Sequence, residues 1–155
     1  MSIRVHLGDP HAGWMSVTLA SGLHEYTFSA SYTPRDSITE LASALILFAD
    51  IRHPSDLCIQ FSLEPSWCEL RITPASPERH MIIQLIGWEP SVAGFGRRSE
   101  VLFSALAERS ELAITFWRAL RNLAGRIDSK AYTSEWRHPF PKSEVEFLGR
   151  TLGRT

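Results

Sequence analysis

The chain reads as an α+β fold. It should form a mostly antiparallel sheet of about six or seven strands, with two main helices packed on one face and a short C-terminal helix. Three observations predict this. Apolar residues alternate with period two through the front of the chain, which is the strand signal. Two segments, near 37–50 and 110–126, carry apolar residues at helical spacing. Strands come in runs instead of alternating with helices, which selects antiparallel pairing over βαβ units. At 155 residues and 17.5 kDa the chain fits one domain over 1–155, with an α+β core over 1–127 and a docking segment over 128–155.

The first three strands form a meander. Ile3, Val5 and Leu7 alternate with Arg4 and His6. Met15, Val17 and Leu19 alternate with Trp14, Ser16 and Thr18, and Tyr26, Phe28 and Ala30 with Glu25, Thr27 and Ser29. Gly8 to Gly13 and Ser21-Gly22 are turn clusters between them. The first helix follows. Ser37-Ile38-Thr39-Glu40 is a capping box with Ser37 as the cap, and Ile38, Leu41, Leu45 and Phe48 form its apolar stripe. Pro54 prevents continuation.

In the next strands Leu57, Ile59, Phe61 and Leu63 alternate with Cys58, Gln60 and Ser62. Beyond a turn at Glu64-Pro65, Cys68, Leu70 and Ile72 alternate with Glu69 and Arg71. A two-residue turn there sets Cys58 opposite Arg71 and not opposite Cys68, so two reduced thiols are expected. Pro74 to Glu78 reads as a loop. Met81 to Trp88 is apolar on both faces except at Gln84, which marks a central strand. Glu89 to Arg98 reads as a loop and Glu100 to Leu106 as the last strand. The second helix, Ser110 to Arg126, carries Leu112, Phe116, Leu120 and Leu123 on one stripe continued by Ile127. Ile127 to Pro141 reads as a polar connection whose Trp136 and Phe140 dock as a satellite cluster. A second capping box, Ser143 to Glu146, opens a short helix ending near Leu152.

Charge and motifs exclude several function classes. A net charge of -1 argues against a polyanion-binding protein. It is the sum of -5 over residues 1–96 and +4 over residues 97–155. Fourteen of the sixteen basic residues are Arg, which suits interfaces but also follows from GC-rich coding. No secretory leader is read, and the apolar run Leu41 to Ala49 is far short of the ~20 residues that cross a bilayer. A cytoplasmic protein with no membrane and no nucleic-acid partner is expected.

Metal and catalytic signatures are not found. His6, His11 and Asp9 are the nearest approach to a metal set, but scattered surface histidines explain them better. Gly94-Phe95-Gly96-Arg97-Arg98 could hold an anion, yet it lacks phosphate-loop spacing and reads as a solvated loop. Glu64 and Glu89 each precede proline, which favours an extended backbone and could project both from strand ends as an acid/base pair; marking turns is the simpler role. No catalytic residue, metal or cofactor is assigned.

The sheet face turned away from the helices carries the most information. Val5, Val17, Phe28, Ile59, Leu70 and Ile83 should point at the helices. The opposite face then carries Glu25, Glu69, Arg71 and Gln84 among small polar residues, with Trp14, Trp67, Ile82, Ile86, Trp88 and Leu102 interspersed. Trp and Arg among small polar side chains match interface hot spots. Trp14, Glu25, Trp67, Glu69, Arg71, Trp88, Arg97 and Arg98 are therefore the candidate protein-binding residues, with coverage by loops or the C-terminal segment as the alternative.

The meander, the Ser37-Ile38-Thr39-Glu40-Leu41 helix start and the Phe61-Ser62-Leu63-Glu64-Pro65 strand end form one part of a larger pattern. Phe116-Trp117-Arg118-Ala119-Leu120 and the Trp136 to Pro141 tail complete it. This pattern resembles small bacterial proteins of the immunity type, which neutralise polymorphic toxins. The resemblance implies a stoichiometric inhibitor that binds a toxin domain and performs no chemistry. Two other readings stay open. One is a small ligand-binding protein or enzyme with a pocket on the open sheet face. The other is a structural domain that homodimerises through that face, so that the protein is a monomer or a homodimer.

Overall fold

A computed structural model describes residues 2–50, 52, 56–76, 79–92, 94 and 96–154. Its strands are β1 (Ile3–Leu7), β2 (Trp14–Ser21), β3 (His24–Ser31), β4 (Leu57–Ser62), β5 (Trp67–Pro74), β6 (His80–Pro90) and β7 (Gly96–Glu108). The helices are α1 (Ser37–Ala49), α2 (Arg109–Arg126), α3 (Ser129–Trp136) and α4 (Lys142–Thr151). All seven strands join one antiparallel sheet in sequence order, with α1 inserted between β3 and β4. This is the α+β architecture that the runs of strands predict.

The sheet has a weak seam. β3 and β4 share a single pair, Ser31 with Ser62, whereas β5 pairs with β6 along its whole length, from Trp67 with Trp88 to Pro74 with Met81. A single shared pair lets the two halves diverge, and the sheet curls. At the far end of β3, His24 stacks on Phe103 of β7 with ring centroids 5.0 Å apart. The inner face closes on Ile38, Leu41, Leu45 and Phe48 of α1 and on Leu112, Phe116, Leu120 and Leu123 of α2. Val17, Phe28, Ile59, Leu70 and Ile83 all lie in this core, with Val5 packed against it.

Helix α2 shields the edge strand β1. Glu111 accepts the Ile3 backbone N–H at 3.1 Å, and Arg126 donates to the Leu7 carbonyl while pairing with Asp9 at 3.0 Å. Unpaired edge groups are thereby used internally, which blunts edge-to-edge association. Arg109 ties the start of α2 to the end of α1. Its guanidinium lies 4.3 Å from the Phe48 ring and donates to the Phe48 carbonyl, one of the carbonyls that a helix end leaves open. Burial pulls the Arg109 pKa down, with Asp56 acting in the opposite sense.

Several local expectations are corrected. The α1 cap is Asp36, whose carboxylate accepts from the Thr39 N–H at 3.2 Å; Ser37 is buried and its hydroxyl has no partner. α4 begins at Lys142, with Pro141 at the cap position and no side-chain cap bond, so Ser143 does not cap it. The presumed connection 127–141 contains α3, capped by Asp128, which accepts from the Ala131 N–H at 2.8 Å. Trp136 belongs to the main core, not to a satellite cluster. β6 and β7 reach Pro90 and Gly96, so Arg97 and Arg98 stand on a strand and not in a loop. Pro54, Glu78 and Phe95 lie outside the described residues.

Candidate protein-binding face

Strand register assembles the outer face. Because Met15, Cys68 and the other inward residues are buried, their neighbours Trp14 and Trp67 point outward. Pairing then runs across six strands: Trp14 opposite Ser31, Ser31 opposite Ser62, Ser62 opposite Trp67, Trp67 opposite Trp88, and Trp88 opposite Arg98. Three tryptophans thus share one row of the sheet. Trp14 is separated from Trp67 by β3 and β4, roughly 14 Å at the usual strand spacing, and Trp88 lies one strand further.

Trp67 and Trp88 form a unit. Their rings lie 6.3 Å apart between centroids with planes inclined by 2°, a parallel stack of two cross-strand neighbours. Gly96 makes room for it. A Cβ built there would fall 2.4 Å from the Trp67 ring, so any larger residue would push the indole off the strand. Both tryptophans are half-buried, and the Trp88 indole N–H is buried without a hydrogen-bond partner. Beside them Ile86 is 1% exposed yet stands outside the inner-face core, as an outward residue sealed by its neighbours. Val101, paired with Ile86, is 42% exposed.

A β-bulge corrects the place of Leu102. β7 skips one residue between the pairs Leu85–Phe103 and Ile86–Val101, and Leu102 is the residue skipped. Its side chain packs against the inner core, 3.5 Å from where a Cβ on Gly87 would stand. Val101, not Leu102, therefore continues the outer patch.

Polar groups flank the stack. Arg71 donates through Nε and Nη2 to one oxygen of Glu69 at 2.8 and 2.7 Å. The Cys58 thiol reaches the same oxygen at 3.8 Å. Burial, followed by the Glu69 charge, pushes the Cys58 thiol up, which keeps it protonated. The hydrogen bond to Glu69 raises the Arg71 pKa. Cys58 does face Arg71, and both cysteines are free. Arg98 ends the tryptophan row, while Arg97 sits on the other side of β7 and pairs with Glu89 at 3.2 Å.

The structure thus brings together Trp67, Glu69, Arg71, Trp88 and Arg98, and puts Trp14 in their row. It does not bring in Glu25. That residue is exposed and paired with Ala20, near the end of β3 that does not reach β4. Glu64 and Glu89 do not form a pair of extended carboxylates. Glu64 has φ 46, in the left-handed region, and Glu89 is engaged by Arg97. His11 contacts Glu135 at 3.3 Å, and among the described residues no three His, Cys, Asp or Glu side chains converge as metal ligands. Gly96 and Val101 are not among the candidates expected from the sequence: Gly96 falls in the segment that reads as a loop, and Val101 turns outward because of the bulge.

No family model matches the chain, and no curated protein or solved structure matches it either. Among the described residues no helix is long and apolar enough to cross a membrane.

Proposed function

We propose that this protein is a non-enzymatic protein-binding module, and that it acts as an immunity-type stoichiometric inhibitor of a bacterial toxin domain. One observation carries the reading: a parallel Trp67–Trp88 stack lies half-exposed on the sheet face opposite the core that engages the helices. Half-exposed tryptophans beside a sealed aliphatic residue and an arginine have the composition of an interface hot spot. The Glu69–Arg71 pair offers directional polar contacts at its margin. An inhibitor of this kind occludes a surface on its target and needs no reactive group.

The acidic balance over residues 1–96, -5, favours a basic partner through electrostatic steering. The partner reading is tested by co-expression with the adjacent gene's product as the candidate toxin domain. A complex of one copy each, together with restored growth of the toxin-expressing cells, supports it. A soluble toxin domain that neither binds nor is neutralised would overturn it.

A further inference from the structure

A second site lies at the helical end of the molecule, on elements that do not contribute to the tryptophan patch. An open cleft of about 690 Å³ runs between α2, α3 and α4, within the range of small-molecule sites. Its apolar wall is built by Trp117, Tyr132 and Phe140. The wall is held in place. The Trp117 indole donates to the Val145 carbonyl at 3.2 Å, and Tyr132 meets Phe140 edge-on at 5.2 Å between centroids. Gly149 lets α4 cross Trp117 at backbone distance, since a Cβ there would fall 2.8 Å from the indole nitrogen.

Over this wall stands a cationic rim. Arg121, Lys142, Arg150 and Arg154 line the cleft against only two acids, Asp128 and Glu146. Arg121 lies 5.2 Å from the Trp117 ring, so one cation is already positioned over the aromatic floor. Arg118 adds to the same basic surface beside Trp117, Arg121 and Arg154. Tyr132, 1% exposed, has a hydroxyl with no hydrogen-bond partner, an uncommon state for a buried polar group.

We infer that this cleft binds a free amphipathic organic anion: an aliphatic or aromatic body against Phe140, Ile127 and Ala124, with the buried Trp117 and Tyr132 behind them, and a single anionic head among Arg150, Arg154 and Lys142. Apolar floor and cationic rim occur together, which fits neither a neutral hydrophobe nor a fully polar anion as well. The positive balance of the C-terminal segment has its local expression here. The inference stands apart from the inhibitor reading and uses none of its residues.

Dodecanoate below its micellar concentration and 1-anilinonaphthalene-8-sulfonate are the probes, titrated into the whole protein by calorimetry and amide NMR. Binding is expected, with shifted resonances confined to α2, α3, α4 and the segments that join and follow them, Phe140 and Arg154 included. Dodecanol should bind roughly tenfold more weakly or worse. The double variant Arg150→Gln/Arg154→Gln, altered only at exposed residues, should lose roughly tenfold in affinity for both anions. Ala124→Phe, which fills the cleft from an exposed position on α2, should abolish binding with its thermal melt unchanged. The proposal is overturned if neither probe binds, if dodecanol binds as tightly as dodecanoate, if the folded variants bind like the parent, or if binding requires anionic vesicles instead of the free monomer.

Discussion

Trp136 donates its indole N–H to Asp36 at 2.9 Å across one hundred residues of sequence. The same carboxylate oxygen accepts the Thr39 N–H, so one side chain caps α1 and anchors α3 together. Trp136 is fully buried, so its donor has no route to water if Asp36 is removed. Asp36→Ala should therefore lose both the cap and the anchor, about 2–4 kcal/mol in urea unfolding. Asp36→Asn, which keeps an acceptor, should lose only about 1 kcal/mol. Equal losses for the two variants would show that the carboxylate's shared role is wrong.

Tyr132 gives the opposite expectation. Its buried hydroxyl has no partner, and replacing an unsatisfied polar group by hydrogen removes a desolvation penalty. Tyr132→Phe should be neutral or stabilising by up to about 1 kcal/mol, measured by thermal and urea unfolding. A destabilisation of that size would mean that the hydroxyl is satisfied.

Buried acids set the alkaline behaviour. Burial, and then the Glu69 charge, push the Cys68 thiol from 9.0 up to about 12. The unfolded chain releases this proton first, so it binds fewer protons than the folded protein above pH 9. The Cys68 contribution is fully present below about pH 9 and is lost as pH rises through about 12. Tyr132, raised by burial, acts in the same direction from its ordinary value of 10.0 upward. Stability should fall with pH across this window, and Cys68→Ala should flatten the fall relative to the parent. Unfolding free energies measured from pH 8 to 11 decide it; identical slopes would refute the assignment.

The clamp of α2 on β1 makes a local prediction. Glu111→Ala frees the Ile3 N–H and should speed hydrogen exchange at that amide, with global stability lower by about 1 kcal/mol. Unchanged exchange at Ile3 would show that β1 does not depend on α2 for protection.

Much of this fold is legible in the residues, and the exceptions have physical causes. Period-two alternation places Val17, Phe28, Ile59, Leu70 and Ile83 inward because each strand is covered on one face by the core. The α1 cap slips by one residue because Asp36 and Ser37 are both good caps locally, and a tertiary bond from Trp136 favours Asp36. α3 is short, eight residues, and depends on burying Tyr132 and Trp136, although the Asp128 cap and their i, i+4 spacing were visible. The bulge that exchanges Leu102 for Val101 leaves no mark in residue type. For the candidate face, the tryptophans and their side of the sheet are legible, but their common row depends on strand order and register across the seam at Ser31 and Ser62.

Binding affinity tests the proposed role of the Trp67–Trp88 face as a protein-binding surface. Affinity for the candidate toxin domain is compared between the parent and Trp67→Ala, with Leu47→Ala, an exposed residue on α1, as control. Trp67→Ala should lose at least about 2 kcal/mol, with Leu47→Ala unchanged. A folded Trp67→Ala protein that binds the domain as tightly as the parent would contradict it.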